Sequence, residues 1–286
     1  MKNFNLQRFG RVVRRDVLGN YRQNLRLLAG SYICNLILET VVYVKPSRVG
    51  LSDLPFGEAI LTERIIGMAT GFLFLVFIAG TASTFTNLSS KQKRIAELTL
   101  PATNAERFWA RLLHSLVLWP AAFCVSFVFA DLTRMLVFPV LGHAFPTTIP
   151  EFMTKLGHFF TDSWQLLAGG GDGAPLNFHS PYDGIWSFFL LWGFIVALHS
   201  FYLLGGVLFR RRPVIYTTLI LVTACILLGV SVTHENLKVL TVSAEMEELS
   251  AKIFIVLQWI FAIACYSFGY YRYKRITVIP RKILRK

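Results

Sequence analysis

Long apolar stretches alternate with short polar and charged ones along most of the chain. Six apolar runs reach the roughly 17–25 residues that a helix needs to cross the hydrocarbon of a bilayer. They are Leu27–Val44, Ile65–Phe85, Leu112–Val137, Ile185–Phe209, Val214–Val232 and Ile253–Tyr271. This pattern predicts an all-α polytopic membrane protein in which residues 1–286 form a single domain of six transmembrane helices.

Composition agrees with a membrane protein, because 54% of the residues are hydrophobic and only 16% are charged, against about 25% charged in a typical soluble chain. The net charge of +13 is confined to a few segments. Of the 29 Lys and Arg residues, seven lie in residues 1–26, five in 87–111, three in 210–212 and seven in the tail 272–286. The positive-inside rule then places these segments and both termini in the cytoplasm. We expect contact with anionic lipid and no nucleic-acid partner.

Residues 1–26 have the pattern of an amphipathic helix. On a helical wheel, Leu6, Phe9, Val13 and Val17 share one face. The opposite face holds five arginines, Arg8, Arg11, Arg14, Arg15 and Arg22. This pattern predicts a helix lying in the inner membrane interface with its arginines toward the headgroups. An Arg-rich start also resembles a mitochondrial presequence, but no serine precedes Ser31 and no cleavage-like site follows, which favours a retained interfacial helix.

Residues 87–111, NLSSKQKRIAELTLPATNAERFWAR, separate two apolar runs and are too charged for a bilayer interior. A helix-compatible piece, Ser89–Leu100, stops at Pro101, and Thr103 to Glu106 matches a capping box ahead of the next helix. The segment therefore predicts two short helices broken by a proline at the cytoplasmic mouth of the bundle. One interpretation is a surface that another protein pushes on. The alternative is an ordinary positive loop that only sets topology.

Few polar residues interrupt the apolar runs. Asn35 and Glu39 lie one helical turn apart in the first run, where a carboxylate costs on the order of 2.5–3.5 kcal/mol. They indicate either a polar lining of a substrate pathway or a Glu39 that is hydrated near the outer end of the span. Asp131 and Arg134, three residues apart in the third run, can pair and fix a helix. Pro120 lies in the middle of the same run, where a kinked helix is tolerated if neighbouring groups satisfy the freed carbonyl.

The stretch 138–184 is the longest outer loop. Its histidines are too far apart for a compact metal site, and its glycine run lacks the Lys-Ser/Thr of a P-loop. We therefore expect a flexible loop and no metal. Apolar residues at helical spacing over Phe152–Leu167 predict a short helix on the outer leaflet. His199, alone in the fourth run, is interpreted as a packing residue.

The phrase SKQKRIAELTLPATNAERFWAR resembles a signature of membrane subunits of type-2 ABC transporters, especially small six-span permeases of Bacteroidetes-like bacteria. In that group a lysine-rich segment precedes LTLPA(S/T)N, an acidic residue and a basic one. The matching residues here are Leu98–Asn104, Glu106 and Arg107. The tail YYRYKRITVI also resembles the ending of that group. The outer loop 138–184 is longer than the group implies, a departure that bears on the substrate.

The resemblance implies the membrane half of an ATP-driven exporter in the bacterial inner membrane. A separate ABC-type ATPase, which holds ATP and Mg²⁺, would dock on the cytoplasmic segment, and a second copy or a related permease subunit would complete the pathway. The implied contact residues are Lys91, Arg94, Glu97, Pro101, Glu106 and Arg107. Independently of the resemblance, the sequence contains no Walker A motif, so this chain needs a partner to hydrolyse ATP by a P-loop mechanism. No cofactor is expected in the chain itself.

Three other classes compete with this interpretation. An integral membrane enzyme, such as a protease or an acyl transferase, would need a nucleophile–base pair or a metal set at one membrane depth. The scattered histidines and few intramembrane carboxylates disfavour such an enzyme. A secondary transporter would show an internal repeat and broken helices, and neither is clear. A non-transporting membrane scaffold differs from the exporter only in whether anything crosses.

Overall fold

A computed structural model describes residues 4–47, 57–86, 92, 95, 99, 101–141, 147–167, 184–209, 212–236 and 244–276. All regular secondary structure in these residues is helical. The α-helices are α1 (Leu6–Gly19), α2 (Tyr21–Ser47), α3 (Gly57–Ser83), α4 (Asn104–Leu113), α5 (Trp119–Val137), α6 (Ile149–Leu167), α7 (Gly184–Leu208), α8 (Pro213–Asn236) and α9 (Ala244–Ile276). A π-helical turn, His114–Leu118, joins α4 to α5, and a short 3₁₀ turn, Pro139–Leu141, follows α5.

Within the described residues, five helices are long and apolar enough to cross a membrane. They cover Tyr21–Tyr43, Ile60–Ser83, Asn104–Val137, Ile185–Leu208 and Lys252–Arg275. These helices overlap five of the six predicted spans, and their length and apolar composition indicate a multi-pass membrane protein. The predicted span Val214–Val232 lies inside α8, but the apolar stretch described there, Pro213–Leu227, is shorter. The count of six spans therefore stays a prediction.

The chain divides into two compact units. The first comprises Met1–Gly80 and Ala105–His158, and in it α2 packs along α5. Its core is aromatic and aliphatic: Phe123 and Phe127 of α5 are fully buried, together with Ile65 of α3. The ring of Phe127 also lies 4.3 Å, between centroids, from that of Phe152 at the start of α6. Four helices of this unit therefore share one apolar core.

A π-helical turn precedes Pro120 in the helix of the third predicted span. Pro120 lies at the start of α5, directly after His114–Leu118. Proline has no N–H to donate, and its ring clashes with the carbonyl group four residues earlier. One wider turn relieves the clash and lets the span continue. Trp119 is buried there against Gly80, where an added Cβ would lie 2.6 Å from the indole ring.

The second unit comprises Thr81–Asn104 and Phe159–Lys286. In it α7 packs against α8 and α9. Gly206 of α7 packs closely against the backbone of Ala82. A Cβ added at Gly206 would lie 2.5 Å from the carbonyl oxygen of Ala82. His199 of α7 is buried, and its Nδ1 lies 2.7 Å from the hydroxyl of Tyr266 on α9. The interpretation of His199 as a packing residue is confirmed.

The loop 138–184 contains the helix that its apolar spacing predicts. This helix, α6, covers Ile149–Leu167 and so begins three residues before the predicted start at Phe152. The earlier start is held by polar contacts of Thr147 and Thr148, which are described below. Residues 142–146 and 168–183 of the predicted flexible loop lie outside the described residues.

Candidate functional site

The predicted coupling residues have different surroundings. Lys91, Arg94 and Glu97 lie outside the described residues. Pro101 is exposed, whereas Glu106 and Arg107 are buried. The second short helix, α4, begins at Asn104, directly after Thr103, where the capping box predicts its start. A role for Glu106 as an exposed contact therefore does not fit its position, and its carboxylate is engaged within the chain.

In the predicted docking segment before Pro101, the residues that the structure describes are Gln92, Ile95 and Thr99, and all lie on the surface. Gln92 and Ile95 are helical, and Thr99 N–H donates to the carbonyl oxygen of Ile95 over 3.0 Å, which closes a helical turn. The positions 92, 95 and 99 recur at the spacing of one helix face. All three are exposed, and 47% of Ile95 is accessible. This face combines an apolar side chain with polar neighbours at the solvent surface.

Glu106 anchors the N-terminal helix. Nε of Arg8 donates to both carboxylate oxygens, at 3.1 and 2.9 Å, and Nη2 donates to Oε1 at 2.7 Å. Glu106 is 0% exposed. These hydrogen bonds, the strongest influence on the guanidinium, raise the pKa of Arg8. A guanidinium that engages a carboxylate through several hydrogen bonds is among the stronger polar contacts in proteins.

Asn5 connects the same carboxylate to the start of α1. Its backbone N–H donates to Oε1 of Glu106 over 2.9 Å. Its side-chain oxygen accepts from the backbone N–H groups of Gln7 and Arg8, at 2.9 and 3.2 Å. Asn5 is therefore the N-cap of α1, a position where asparagine is favoured. The cap and the ion pair together hold the first turn of α1 on α4.

A second ion pair with the opposite polarity lies further along α1. Nε of Arg111 lies 3.8 Å from Oδ2 of Asp16. Arg8, Val12 and Asp16 follow one another at four-residue spacing, so they share one face of α1, and Val12 is buried. We call the pairs Arg8–Glu106 and Asp16–Arg111 the N-terminal ion-pair cluster. Because the two pairs have opposite polarity, α1 running in the reverse direction would place like charges together, so the cluster favours the observed direction of α1.

A separate buried charge cluster, formed by Glu39, Tyr43, Asp131 and Arg134, lies between α2 and α5. Nε of Arg134 donates to Oδ1 of Asp131 over 3.0 Å and lies 3.5 Å from Oε2 of Glu39. The guanidinium carbon lies 4.5 Å from the ring centre of Tyr43. The predicted pairing of Asp131 with Arg134 is confirmed. Glu39 is 0% exposed, so the interpretation that it is hydrated is wrong.

The carboxylate of Asp131 also holds the start of α6. Its Oδ2 accepts from the hydroxyl of Thr147 over 2.7 Å and from the backbone N–H of Thr148 over 3.0 Å. The hydroxyl oxygen of Thr147 in turn accepts from the N–H of Ile149 over 3.3 Å. Asp131 therefore satisfies donors at a helix N-terminus, where negative charge is favourable. These bonds join the end of the third span to the outer-loop helix.

Asn35, the other predicted pathway residue, contacts serine side chains between α2 and α5. Its Nδ2 donates to Oγ of Ser126 over 3.2 Å, and the hydroxyls of Ser31 and Ser126 lie 2.7 Å apart. Asn35 and Glu39 thus share the face of α2 that packs on α5, as their spacing predicts. Their proposed role in lining a pathway stays a prediction.

Sequence reasoning missed the partners that lie far away in the chain. Arg8 was assigned to the headgroup-facing side of α1, yet its guanidinium binds Glu106. Asp16, the partner of Arg111, was not singled out. The available signal was weak: opposite charges at positions 8 and 16 on one helical face match opposite charges at 106 and 111. That match identifies partners only once the two helices are known to be neighbours.

Two buried serine hydroxyls of the helices bond within their own helices. The hydroxyls of Ser115 and Ser200 donate to the carbonyl oxygens of Leu112 and Ala197 in their own helices, at 2.9 and 2.8 Å. Such back-bonding is usual for serine in membrane helices. Among the residues that the structure describes, no group of three or more His, Cys, Asp or Glu side chains could hold a metal ion.

Comparison of the chain with protein-family models, with curated proteins and with solved structures found no match. The resemblance to type-2 permeases therefore stays a prediction.

Proposed function

We propose that this chain is the membrane-spanning permease subunit of an ATP-driven exporter in the bacterial inner membrane. It would couple a separate ABC-type ATPase, which binds ATP and Mg²⁺, to movement of a substrate. In this proposal the chain has six spans and cytoplasmic termini, and residues 87–111 form the docking segment. A second copy or a related subunit would complete the pathway.

The observation that supports this proposal most is the N-terminal ion-pair cluster. Residues 104–111 are the end of the docking segment and also the first turns of the third span, Asn104–Val137. Glu106 and Arg111, both in these turns, bind residues of α1. A displacement of the segment would therefore move the third span and the N-terminal helix together, as a motor-driven lever requires.

The proposal assigns different tasks to the candidate coupling residues. Glu106 is buried by its contacts with Arg8, and Arg107 is buried as well, so we assign them to positioning α1 and α4. Direct contact with the ATPase falls to the surface face with Gln92, Ile95 and Thr99, to Pro101, and to the charged residues Lys91, Arg94 and Glu97. An apolar side chain flanked by charges suits a partner surface with an apolar centre and a polar rim.

The N-terminal helix fits a place in the inner membrane interface. Leu6 and Leu18 are exposed apolar residues of α1, and Arg11, Arg14 and Arg15 are exposed basic ones. Apolar contact with acyl chains and attraction to anionic headgroups both favour such a helix at a membrane surface. In this position α1 would hold the start of α4, at the end of the docking segment, at the membrane surface.

Co-purification from native membranes is the deciding experiment. The tagged chain, extracted in mild detergent, is expected to retain a stoichiometric ATPase, identified by mass spectrometry. Reconstitution of the pair in vesicles should then give substrate-dependent ATP hydrolysis. Retention of no ATPase would refute the exporter. An ATPase bound without any transported substrate would indicate a scaffold, and turnover by the chain purified alone would indicate an enzyme.

A further inference from the structure

The buried charge cluster has more negative than positive charge if all its groups ionise. Glu39, Asp131 and Arg134 are each 0% exposed. Two carboxylates and one guanidinium leave one uncompensated negative charge in a site that water does not reach. Transfer of an unpaired ion into such surroundings costs several kcal/mol or more, and a buried acid commonly takes up a proton instead.

The hydrogen bonds show which of the two acids is the surplus one. Asp131 accepts from Arg134, from the hydroxyl of Thr147 and from the N–H of Thr148. Hydrogen bonds to the charged form of a carboxyl group stabilise that form. Asp131 is therefore the anion that balances the guanidinium of Arg134.

Glu39 has no comparable set of donors. Its closest cationic atom, Nε of Arg134, is 3.5 Å away, and neither carboxylate oxygen accepts a hydrogen bond from the described residues. Oδ1 of Asn35, one turn away on the same face, is also buried and accepts none from them. Ionised Glu39 would thus be a buried carboxylate without hydrogen-bond donors, a charge that one proton neutralises.

The other groups around Glu39 do not alter this charge balance. Tyr43 on α2 and Thr62 on α3 are uncharged at neutral pH. The ionisable side chains of α3 and α6 nearest in sequence to this region, Glu63, Arg64, Glu151 and Lys155, are partly or fully exposed. Water and salt screen such surface charges.

We propose that Glu39 is a proton-binding site, which holds one proton while α2 is packed on α5 and releases it when the two helices separate. Protonation converts the carboxylate to a neutral carboxyl group and brings the cluster to zero net charge. Separation would hydrate Glu39 and return the proton to solvent. The packing of α2 on α5 is therefore linked to pH, since the proton binds the packed state more tightly. Proton binding at Glu39 does not depend on the proposed exporter function.

Difference infrared spectroscopy of the full chain in lipid nanodiscs tests the proposal. At neutral pH the wild type should show the carbonyl stretching band of a protonated carboxyl group, and Glu39→Gln should lack that band. Glu63→Gln removes an exposed carboxylate from the next helix and should keep the band. Identical spectra for wild type and Glu39→Gln, or no such band in the wild type, would overturn the proposal.

Thermal unfolding of the same samples gives an independent readout. The wild type should lose stability as the buffer is made alkaline, because the packed state then loses its proton. Glu39→Gln mimics the protonated group, so its unfolding midpoint should be at least as high as that of the wild type and should vary less with pH. Glu63→Gln should follow the wild type.

Two outcomes of the unfolding experiment contradict proton binding. If the unfolding midpoint at constant pH differs between buffers that contain Na⁺ and buffers that contain choline, then the cluster binds a metal cation and not a proton. A Glu39→Gln protein that is strongly destabilised would show that the packed state needs the ionised carboxylate.

Discussion

The guanidinium of Arg8 and the carboxylate of Glu106 form a hydrogen-bonded ion pair between residues that are 98 positions apart in the chain. One partner lies on the N-terminal helix and the other in the first turn of the third span. The carboxylate is fully buried, whereas the side chain of Arg8 is 27% exposed. The pair thus joins the N-terminal helix directly to the start of α4.

The attachment predicts how α1 responds to a single neutral substitution. Glu106→Gln should loosen the N-terminal helix, because the neutral amide loses the ion pair with Arg8 and keeps only one acceptor oxygen, with its NH2 group in place of the other. Hydrogen exchange of the backbone amides of residues 6–19, followed by mass spectrometry, should become faster. Arg14→Gln, at an exposed position of the same helix, is the matched control and should leave the exchange unchanged.

The same contact can be tested by a double-mutant comparison. If Arg8 and Glu106 act as one pair, then adding Arg8→Gln to Glu106→Gln should accelerate exchange little further. The effects of substituting two residues in contact are usually not additive. Additive effects of the two substitutions, or unchanged exchange in Glu106→Gln, would show that the pair does not hold α1.

The buried charge cluster predicts a large effect of removing its cation. Arg134→Met leaves the buried carboxylate of Asp131 without its positive partner, and breaking a buried ion pair in this way costs about 3–5 kcal/mol. Denaturant unfolding followed by tryptophan fluorescence measures the loss. Lys155→Met removes a cation from an exposed pair with Glu63, where about 0–1 kcal/mol is expected. Equal stabilities of the two variants would contradict the role of Arg134.

Close helix packing in the second unit predicts a position that does not tolerate a methyl group. In Gly206→Ala the added Cβ would lie 2.5 Å from the carbonyl oxygen of Ala82, and backbone cannot rotate away as a side chain can. Overpacking of this kind costs roughly 1–3 kcal/mol. Gly67→Ala is the control, because an added Cβ there meets nothing within 4 Å. The thermal midpoint should fall in the first variant only.

The docking proposal predicts that the exposed face of the segment is needed for binding the ATPase. Arg94→Glu and Ile95→Asp should each reduce the amount of ATPase that co-purifies, because they place a negative charge where the partner would contact the segment. Lys155→Glu reverses a charge at another exposed position and should retain the ATPase. Unchanged co-purification in both segment variants would place the docking surface elsewhere, while the membrane fold remained intact.

Features that depend on neighbouring residues were predictable from the sequence. Five spans, the helix at Ile149–Leu167 and the start of α4 follow from apolar length, helical spacing and a capping pattern. The pair Asp131–Arg134 follows from a three-residue spacing on one helix. In each case the chain itself sets the geometry over a few residues, so local rules suffice.

Contacts between distant helices were decided only by the tertiary structure. The spans are apolar around most of their circumference, so their sequence does not show which face packs inward. For this reason Asn35 and Glu39 could be placed on one face, but the burial of Glu39 beside Arg134 could not be foreseen. Likewise, nothing local connects Arg8 with Glu106, because a partner so distant in sequence is selected by the packing of whole helices.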